Sequence, residues 1–354
     1  MSGGVDSSVV AGLLHARGHE VVGVTLQLYD HGAATGRKGA CCAGQDIHDA
    51  RRVADRLGIA HYVIDAQRRF HDAVIQPFAD GYAAGQTPVP CIACNQSVKF
   101  TDLVQLAADL GCAHLATGHY VRRIGGPDGA ELHRAVDQQR DQSWFLFATT
   151  AAQLERCVFP LGDHPSKAHV RAEAQRLGLD VAAKPDSQDI CFVPQGSYAA
   201  VVAKLRPDAF APGDIVTAQG QVVGRHAGIG GYTIGQARRL GAAQSADAGG
   251  TGQRRVVVGL DAAARRVVVD HARADTTVLR LRDVNWLATP QSRSCTVKLR
   301  SGEPAHPAEI RWQDHEALVH LATPRRVAPG QACVFYDETR VLGGGFIREA
   351  VPSD

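Results

Sequence analysis

Over the first 120 residues the spacing of apolar positions switches repeatedly between helix and strand periods. Val9, Val10, Leu13 and Leu14 recur at helical spacing and stop before Gly18. Residues 20–28 (EVVGVTLQL) form a run rich in β-branched side chains, the pattern of a buried strand. Ile47, Ala50, Val53, Ala54 and Leu57 mark an amphipathic helix closed by Gly58, and residues 61–65 (HYVID) a short strand. A helix is predicted over 68–83, a Pro-rich loop over 85–95, a helix over 98–110 and a strand over 113–118 (AHLATG). Strands alternating with helices predict an α/β unit, a parallel sheet wrapped by helices. In such sheets ligands bind beyond the carboxyl ends of the strands, where residues 1–8 and 116–120 fall.

Further on the texture changes. Residues 121–136 read as a hairpin around Gly125-Gly126-Pro127-Asp128-Gly129, and helices are expected near 141–156 and 165–177. Past Pro194, Gly and Pro become frequent, helices are scarce and short alternating strands recur: 254–260, 266–270, 295–300, 317–322 and 332–336. These predict small β domains of the barrel kind. No internal repeat or low-complexity tract interrupts them.

A chain of 354 residues has room for two or three domains. Its apolar and charged fractions are those of an ordinary soluble globular protein. It has no apolar run of membrane-spanning length and no secretory core, so a cytoplasmic protein with no membrane partner is expected. A net charge of +2 does not mark the whole chain as a nucleic-acid binder. Arginine pairs recur (51–52, 68–69, 122–123, 238–239, 254–255, 325–326), and arginine suits bidentate phosphate contact; singly, each pair reads as solvated surface charge. Nine cysteines in a reducing compartment point to catalysis, metal binding or burial rather than structural disulfides. Cys112, Cys157, Cys295 and Cys333 sit among apolar or small residues and read as core.

The stretch Met-Ser-Gly-Gly-Val-Asp-Ser-Ser, residues 1–8, changes the picture most. Paired glycines feeding a helix present unpaired N–H groups at a positive dipole end, which suits a phosphate. It is not a Walker loop, because no Gly-Lys-Ser/Thr follows. A phosphate loop ordinarily follows a buried strand, and here Met1 stands on the loop itself; a strand and about ten more residues upstream are therefore expected. The spelling Ser2–Ser8 resembles the pyrophosphate loop (PP-loop) of the ATP pyrophosphatase superfamily, whose members cut ATP between the α and β phosphates to adenylate a carbonyl oxygen.

A second cluster carries sulfur. Thr87-Pro-Val-Pro-Cys-Ile-Ala-Cys-Asn95 places Cys91 and Cys94 on what reads as a proline-stiffened loop, and Cys191 lies in Asp-Ser-Gln-Asp-Ile-Cys-Phe. Thiolates are good nucleophiles and sulfur carriers. Beside an ATP-activating loop they make sulfur transfer plausible, one cysteine carrying a persulfide and another releasing its sulfur by forming a disulfide. Half a zinc site and a thioredoxin-like pair are the other readings, but no second Cys-x-x-Cys completes the first and the surrounding pattern does not fit the second.

Taken together, these motifs resemble the bacterial tRNA-specific 2-thiouridylase family from Ser2 to about Ile347. The markers are Ser2–Ser8, Cys41-Cys42 with 46–58, 87–100, 116–120 (ATGHY), 140–143 (RDQS), 187–192, 232–236 (YTIGQ), 329–331 and 341–345. The resemblance implies a Rossmann-like ATP pyrophosphatase domain over 1–195, a small central domain over 196–270 and a C-terminal β-barrel over 271–354. It implies that Cys94 is the nucleophile and Cys191 the persulfide cysteine. Ser2, Gly3, Gly4, Val5, Asp6, Ser7, Ser8, Leu26 and Gly118 match ATP contacts. Val89, Pro90, Cys91, His119, Arg140, Asp141, Gln142, Arg300, Ser301 and Gln331 match positions that touch tRNA. The implied cofactors are ATP and Mg²⁺. The implied partners are the anticodon region of tRNA, with its wobble uridine, and a cysteine desulfurase or sulfur-relay protein as donor.

Four positions depart from the family pattern: Val89 and Cys91 stand where many members carry Asn and Asp, Ser301 replaces a usual Tyr, and Ala237 interrupts a usual Gln-Arg-Arg. Cys91, Cys94 and Cys191 offer three thiolates, so a route through a 4Fe-4S cluster stays open beside the persulfide route. Other ATP pyrophosphatases, an amidotransferase-type synthetase or a tRNA lysidine synthase, share the loop, and a non-catalytic tRNA-binding module is a rival of a different class.

Overall fold

The structure, a computed structural model, describes residues 1–29, 42–186, 190–193, 198–238, 240–241, 255–271, 275–314 and 316–351. Cys41, Arg239, Arg254 and the motif residues 187–189 lie outside these described residues.

Helix α1 (Val5–Ala16) starts directly after the glycine pair, and Val5, Val9, Val10 and Leu13 bury its inner face against Val170, Ala174, Leu179 and Val181. Strands β1 (Val22–Gln27) and β2 (Ala60–Asp65) pair in parallel from Val22 opposite Ala60 to Gln27 opposite Asp65, linked through the helix Cys42–Leu57. Strands β3 (Leu115–Ala116) and β6 (Cys157–Val158) form a second parallel pair. The two pairs share no ladder. Between them runs a groove of about 1050 Å³, lined by Val22, Val24 and Leu26 on one wall and by Leu115, Thr117 and Val158 on the other. The α-amino group of Met1 is buried beside it and donates to the Val24 carbonyl.

The cysteine segment differs from the sequence reading. Helix begins at Pro90, not near 98, and runs through Pro90–Ala93, Cys94–Asp102 and Leu103–Asp109. Proline occupies the first turn, where its missing N–H costs no helical hydrogen bond. Cys91 and Cys94 therefore stand on a helix, not a loop. The stretch Cys94–Asp102 is wound as a π-helix, a geometry enriched at functional sites. The helix expected over 141–156 is broken into Ser143–Leu146 and Ala151–Glu155, the second opened by a capping box between Thr150 and Gln153. A helix the sequence did not suggest, Tyr198–Leu205, stacks Tyr198 on Tyr82 at 4.6 Å between ring centroids.

The central unit is a four-stranded sheet in the order β8 (Val222–His226), β7 (Gly213–Thr217), β10 (Arg266–Asp270), β9 (Val256–Asp261). The C-terminal unit is a closed six-stranded barrel of β11 (Asp275–Trp286), β14 (Glu316–Arg326), β13 (His306–Gln313), β12 (Arg293–Lys298), β15 (Ala332–Asp337) and β16 (Arg340–Val351), with β16 pairing back onto β11. The hairpin β4 (Val121–Gly126) and β5 (Gly129–Arg134) extends the barrel sheet through His133 opposite Arg340. One core joins the units: Ile92, Phe100, Trp144 and Phe147 pack with Val334, Tyr336 and Val341. Trp144 Nε1 donates to the Lys298 carbonyl at 3.2 Å, and Asn285 Nδ2 donates to the Phe147 and Thr149 carbonyls at 2.7 and 3.0 Å. The cysteine helix is thus anchored on the barrel. Among the described residues no helix is long and apolar enough to cross a membrane.

Candidate active site

The phosphate loop is held by its own hydroxyls. Ser2 N–H donates to Ser7 Oγ at 2.9 Å, and Ser8 Oγ donates to the Gly4 carbonyl at 2.8 Å. Gly3 adopts φ +69°, and a Cβ there would run into the Asp46 carbonyl. Gly4, extended, leads into α1 with no side chain capping the helix, so the first-turn amides stay available for an anion. Gly118 closes the other side: a Cβ on it would come within 3.0 Å of Asp6 Cβ and of Ser7 N. Leu26 lines the groove from β1.

Beneath the loop lies a polar frame that sequence reasoning missed. Lys167 Nζ donates to both Asp6 oxygens at 2.7 Å and lies 2.9 Å from Asp186. Tyr120 Oη donates to Asp6 at 2.6 Å. Lys184 Nζ donates to the Gly3 carbonyl at 3.0 Å and to Asp46 and Asp49 at 2.7 and 2.6 Å. Against the upward push of burial, Lys167 and Arg140 hold the Asp186 carboxyl below the usual carboxylate range. Tyr120 closes the 116–120 motif, but Lys167 and Lys184 are single lysines with no spacing signal.

The three thiols lie on or beside a separate, aromatic cluster. Cys94 is buried among Phe70, Phe78, Val98, Phe192 and Val193, with Leu26 packed against the same cluster. Cys191, itself exposed, is carried by Phe192, whose ring meets Phe70 and Phe78 edge-on at 5.8 and 5.3 Å. Cys91 is exposed one turn before Cys94. Cys91, Cys94, Cys112, Cys157, Cys191, Cys295 and Cys333 are free. Burial pushes the Cys94 thiol up and the Lys99 ammonium opposes it; although Cys191 has open surface, the chain packed around its sulfur, with the Cys94 and Cys91 thiols adding, pushes it up to about 12. Among the described residues no group of three or more His, Cys, Asp or Glu side chains is placed to hold a metal ion.

The positions expected to touch RNA fall in three places. Val89 and Pro90 open the cysteine helix. His119 lines the groove, its Nδ1 2.9 Å from Thr117 Oγ1, and burial drives its ring well below the imidazole range, with Lys99 acting the same way. Arg140 donates to Asp186 at 2.7 Å, and Gln142 exchanges hydrogen bonds with the Tyr120 backbone. Asp141 turns inward, accepting from the Ala135 and Ser143 amides and the Ser143 hydroxyl. On the barrel Arg300 is exposed and Ser301 half-buried. Gln331 belongs to a turn that docks on the segment before the cysteine helix, where Thr87 N–H donates to the Pro329 carbonyl at 2.7 Å.

Residues 1–195 match the family described as tRNA methyl transferase HUP domain, 200–271 that described as tRNA methyl transferase PRC-barrel domain, and 276–347 that described as aminomethyltransferase beta-barrel domain. The chain is 65% identical over 349 residues to the tRNA-specific 2-thiouridylase MnmA of Acidiphilium cryptum, covering 98% of each chain. It is 59% identical to the protein of that name from Gluconobacter oxydans (98% of this chain, 97% of the relative) and 56% identical to that from Paracoccus denitrificans (98% and 90%).

Proposed function

The chain belongs to the tRNA-specific 2-thiouridylase family, and from that premise we propose that it replaces O2 of the wobble uridine of tRNA by sulfur, using ATP. The observation that carries this reading is the seating of Cys94 and of Phe192, the neighbour of Cys191, on one aromatic cluster, with Leu26 reaching from that cluster into the groove that the phosphate loop opens. The family descriptions speak of methyl transfer and the relatives' names of thiolation; paired cysteines beside an ATP loop favour thiolation.

In the reaction, uridine O2 attacks the α-phosphorus of ATP. The bond from that phosphorus to the bridging oxygen breaks and pyrophosphate leaves. The loop amides and Ser2, Ser7 and Ser8 hold the phosphates, while Leu26 and Gly118 border the nucleoside. Asp6, the loop's one carboxylate, would hold a Mg²⁺ ion bound with the triphosphate, and the ion would neutralise phosphate charge. The terminal sulfur of a Cys191 persulfide then bonds to C2 as AMP departs. The Cys94 thiolate attacks Cys191 Sγ, the persulfide S–S bond breaks, and the sulfane sulfur stays on C2 as the thiocarbonyl. The sulfur is reduced and the two cysteines are oxidised to a disulfide, which an external thiol must reduce. A cysteine desulfurase or relay protein supplies the next persulfide. The base has to leave its stack to reach the groove. In this reading residues 1–195 carry the ATP and sulfur chemistry in the cytoplasm, and 196–270 and 271–354 grip the anticodon arm with Arg300, Ser301 and Gln331.

The test is to incubate the protein with unmodified tRNA, ATP, reductant and a cysteine desulfurase with its cysteine substrate as persulfide donor, then digest the tRNA and analyse nucleosides by mass spectrometry. The expected result is 2-thiouridine at the wobble position with AMP formed only when tRNA is present. AMP formation that needs ammonia or an amino acid, without 2-thiouridine, overturns the reading in favour of another ATP pyrophosphatase.

A further inference from the structure

Lys99 is a cation that the reaction just described leaves without a task. It stands five residues after Cys94 on the π-wound stretch Cys94–Asp102. Bonding from i to i+5 stacks residues five apart, so Lys99 follows Cys94 on one face; on an α-helix the two would be turned about 140° from each other. The half-buried Lys99 side chain lines the same groove as Ser2, Asp6, Ser7, Gly118 and His119. The two lysines of the polar frame are already committed, Lys167 to Asp6 and Asp186 and Lys184 to Asp46 and Asp49. The Lys99 side chain has no hydrogen bond or ion pair among the described residues. After burial, its charge is the next largest influence on Cys91, Cys94 and His119, and it also reaches Cys191 and the Met1 amine. One unpaired ammonium thus stands within electrostatic reach of the loop and all three thiols. Partial burial of an unpaired ammonium is unfavourable until an anion arrives.

We propose that Lys99 is a catalytic residue of the adenylation step, its ammonium meeting the α-phosphoryl oxygens of ATP while uridine O2 attacks and then holding the O2-adenylate before Cys94 and Cys191. The inference rests on the function proposed above. In this step the O2–phosphorus bond forms, pyrophosphate leaves with the electron pair of the broken bond, and the uridine N3 proton passes to solvent. Lys99 keeps its protons and acts by charge, where a preorganised donor in a shielded site is most effective.

The experiment measures tRNA-dependent AMP formation at saturating ATP in single turnover, with Lys99→Met and Lys99→Arg beside the wild type. Lys99→Met is expected to slow AMP formation about 100-fold, with ATP KM and tRNA Kd changed less than about threefold. Lys99→Arg, which keeps the charge, is expected to recover at least about tenfold of that loss. Melting temperature and tRNA binding are followed on the same samples, and if Lys99→Met does not fold, Lys99→Gln is held to the same threshold. Adenylation at wild-type rate in the uncharged variant overturns the assignment, even if thiolation is lost, because the charge would then serve the thiols alone. So does a slow step that Arg does not restore. Wild-type protein that forms no 2-thiouridine overturns the proposed function and the assignment with it, whereas wild-type thiolation beside an equally fast Lys99→Met overturns the assignment alone.

Discussion

The phosphate loop lines the groove and the thiol cluster meets it through Leu26 and Lys99, but the two are built on opposite electrostatic plans. At the loop every charge is answered: Asp6 by Lys167 and Tyr120, Lys184 by Asp46 and Asp49, and the turn itself by Ser2, Ser7 and Ser8. At the thiols little is answered. Cys94 is buried in an aromatic cluster, Cys191 is pushed up to about 12, and Lys99 has no partner among the described residues. The loop is therefore preorganised for an anion and rearranges little when one binds. The thiols rest protonated and poorly nucleophilic near neutral pH. On the proposed reaction, such a site would withhold sulfur transfer until substrate brings new charge into the groove, which would protect both cysteines from idle oxidation.

The most severe way to separate the two regions is to remove sulfur and leave the loop. Cys191→Ser is expected to lower thiolation by at least about 10³-fold, while tRNA binding and tRNA-dependent AMP formation stay near wild type. Cys94→Ser should lose thiolation equally but, loaded by a persulfide donor in the absence of tRNA, still carry a persulfide on Cys191, seen as a mass increment of about 32 Da, one sulfur atom. Thiolation retained in either variant removes that cysteine from the mechanism.

The reverse cut breaks the loop. Gly3→Ala forces a side chain onto φ +69° and against the Asp46 carbonyl, whereas Gly18→Ala meets φ +83° with open space around it. Both carry backbone strain of about 1–2 kcal/mol. Only Gly3→Ala is expected to weaken ATP binding, by about tenfold or more, equal to about 1.4 kcal/mol. Calorimetric titration with ATP decides, and equal ATP affinities for the two variants would show that loop shape is not what binds the nucleotide.

The shape of the loop was legible in the sequence because glycines at fixed spacing announce backbone directly, and Gly3 at φ +69° and the start of α1 at Val5 follow that reading. The cysteines were legible as chemistry but not as geometry. Pro88 and Pro90 read as loop punctuation, yet a proline at the first turn also starts a helix, and Pro90 does so. Helical spacing then continued as π winding, which no apolar period reveals. The hairpin at 121–136 was visible from its glycine turn, but its place on the barrel depends on Arg340 opposite His133, a pairing with no local signature. Lys99, Lys167 and Lys184 were invisible for a similar reason: a single lysine has no pattern until the fold shows what stands opposite it.

A milder change tests the polar frame alone. Asp186→Asn leaves Lys167 with Asp6 and removes the carboxylate shared with Arg140. The expected loss is about 1–3 kcal/mol of folding stability. The sign with pH follows from the lowered carboxyl. Its contribution is complete above the ordinary carboxylate value of about 3.9 and is lost as pH falls through the lower folded value. Wild type should therefore lose its margin over Asp186→Asn only below about pH 4, read as the urea midpoint of each protein along a pH series. A constant difference down to pH 2 would assign the effect to packing instead of charge.

The smallest expected effect lies farthest from both regions, on the barrel. Arg300 is exposed just past β12, and among the described residues its guanidinium makes one hydrogen bond, a long one donated to the Arg326 carbonyl at 3.4 Å. Its guanidinium is free to meet a phosphate, and removing it costs the fold little. Ser301, beside it, is half-buried and uncharged. Arg300→Ala is expected to weaken tRNA binding a few-fold and to reduce the slope of log Kd against log salt by about one, the signature of one lost phosphate contact. Ser301→Ala, which removes a neutral contact, should weaken binding less than Arg300→Ala and leave the slope unchanged, and kcat for thiolation at saturating tRNA should be unchanged in both. Filter binding at four salt concentrations is sufficient. An unchanged slope in Arg300→Ala would mean that RNA does not reach this end of the barrel, and the contrast between loop and thiols would then have to account for substrate recognition with the help of Arg140 and the 116–120 segment alone.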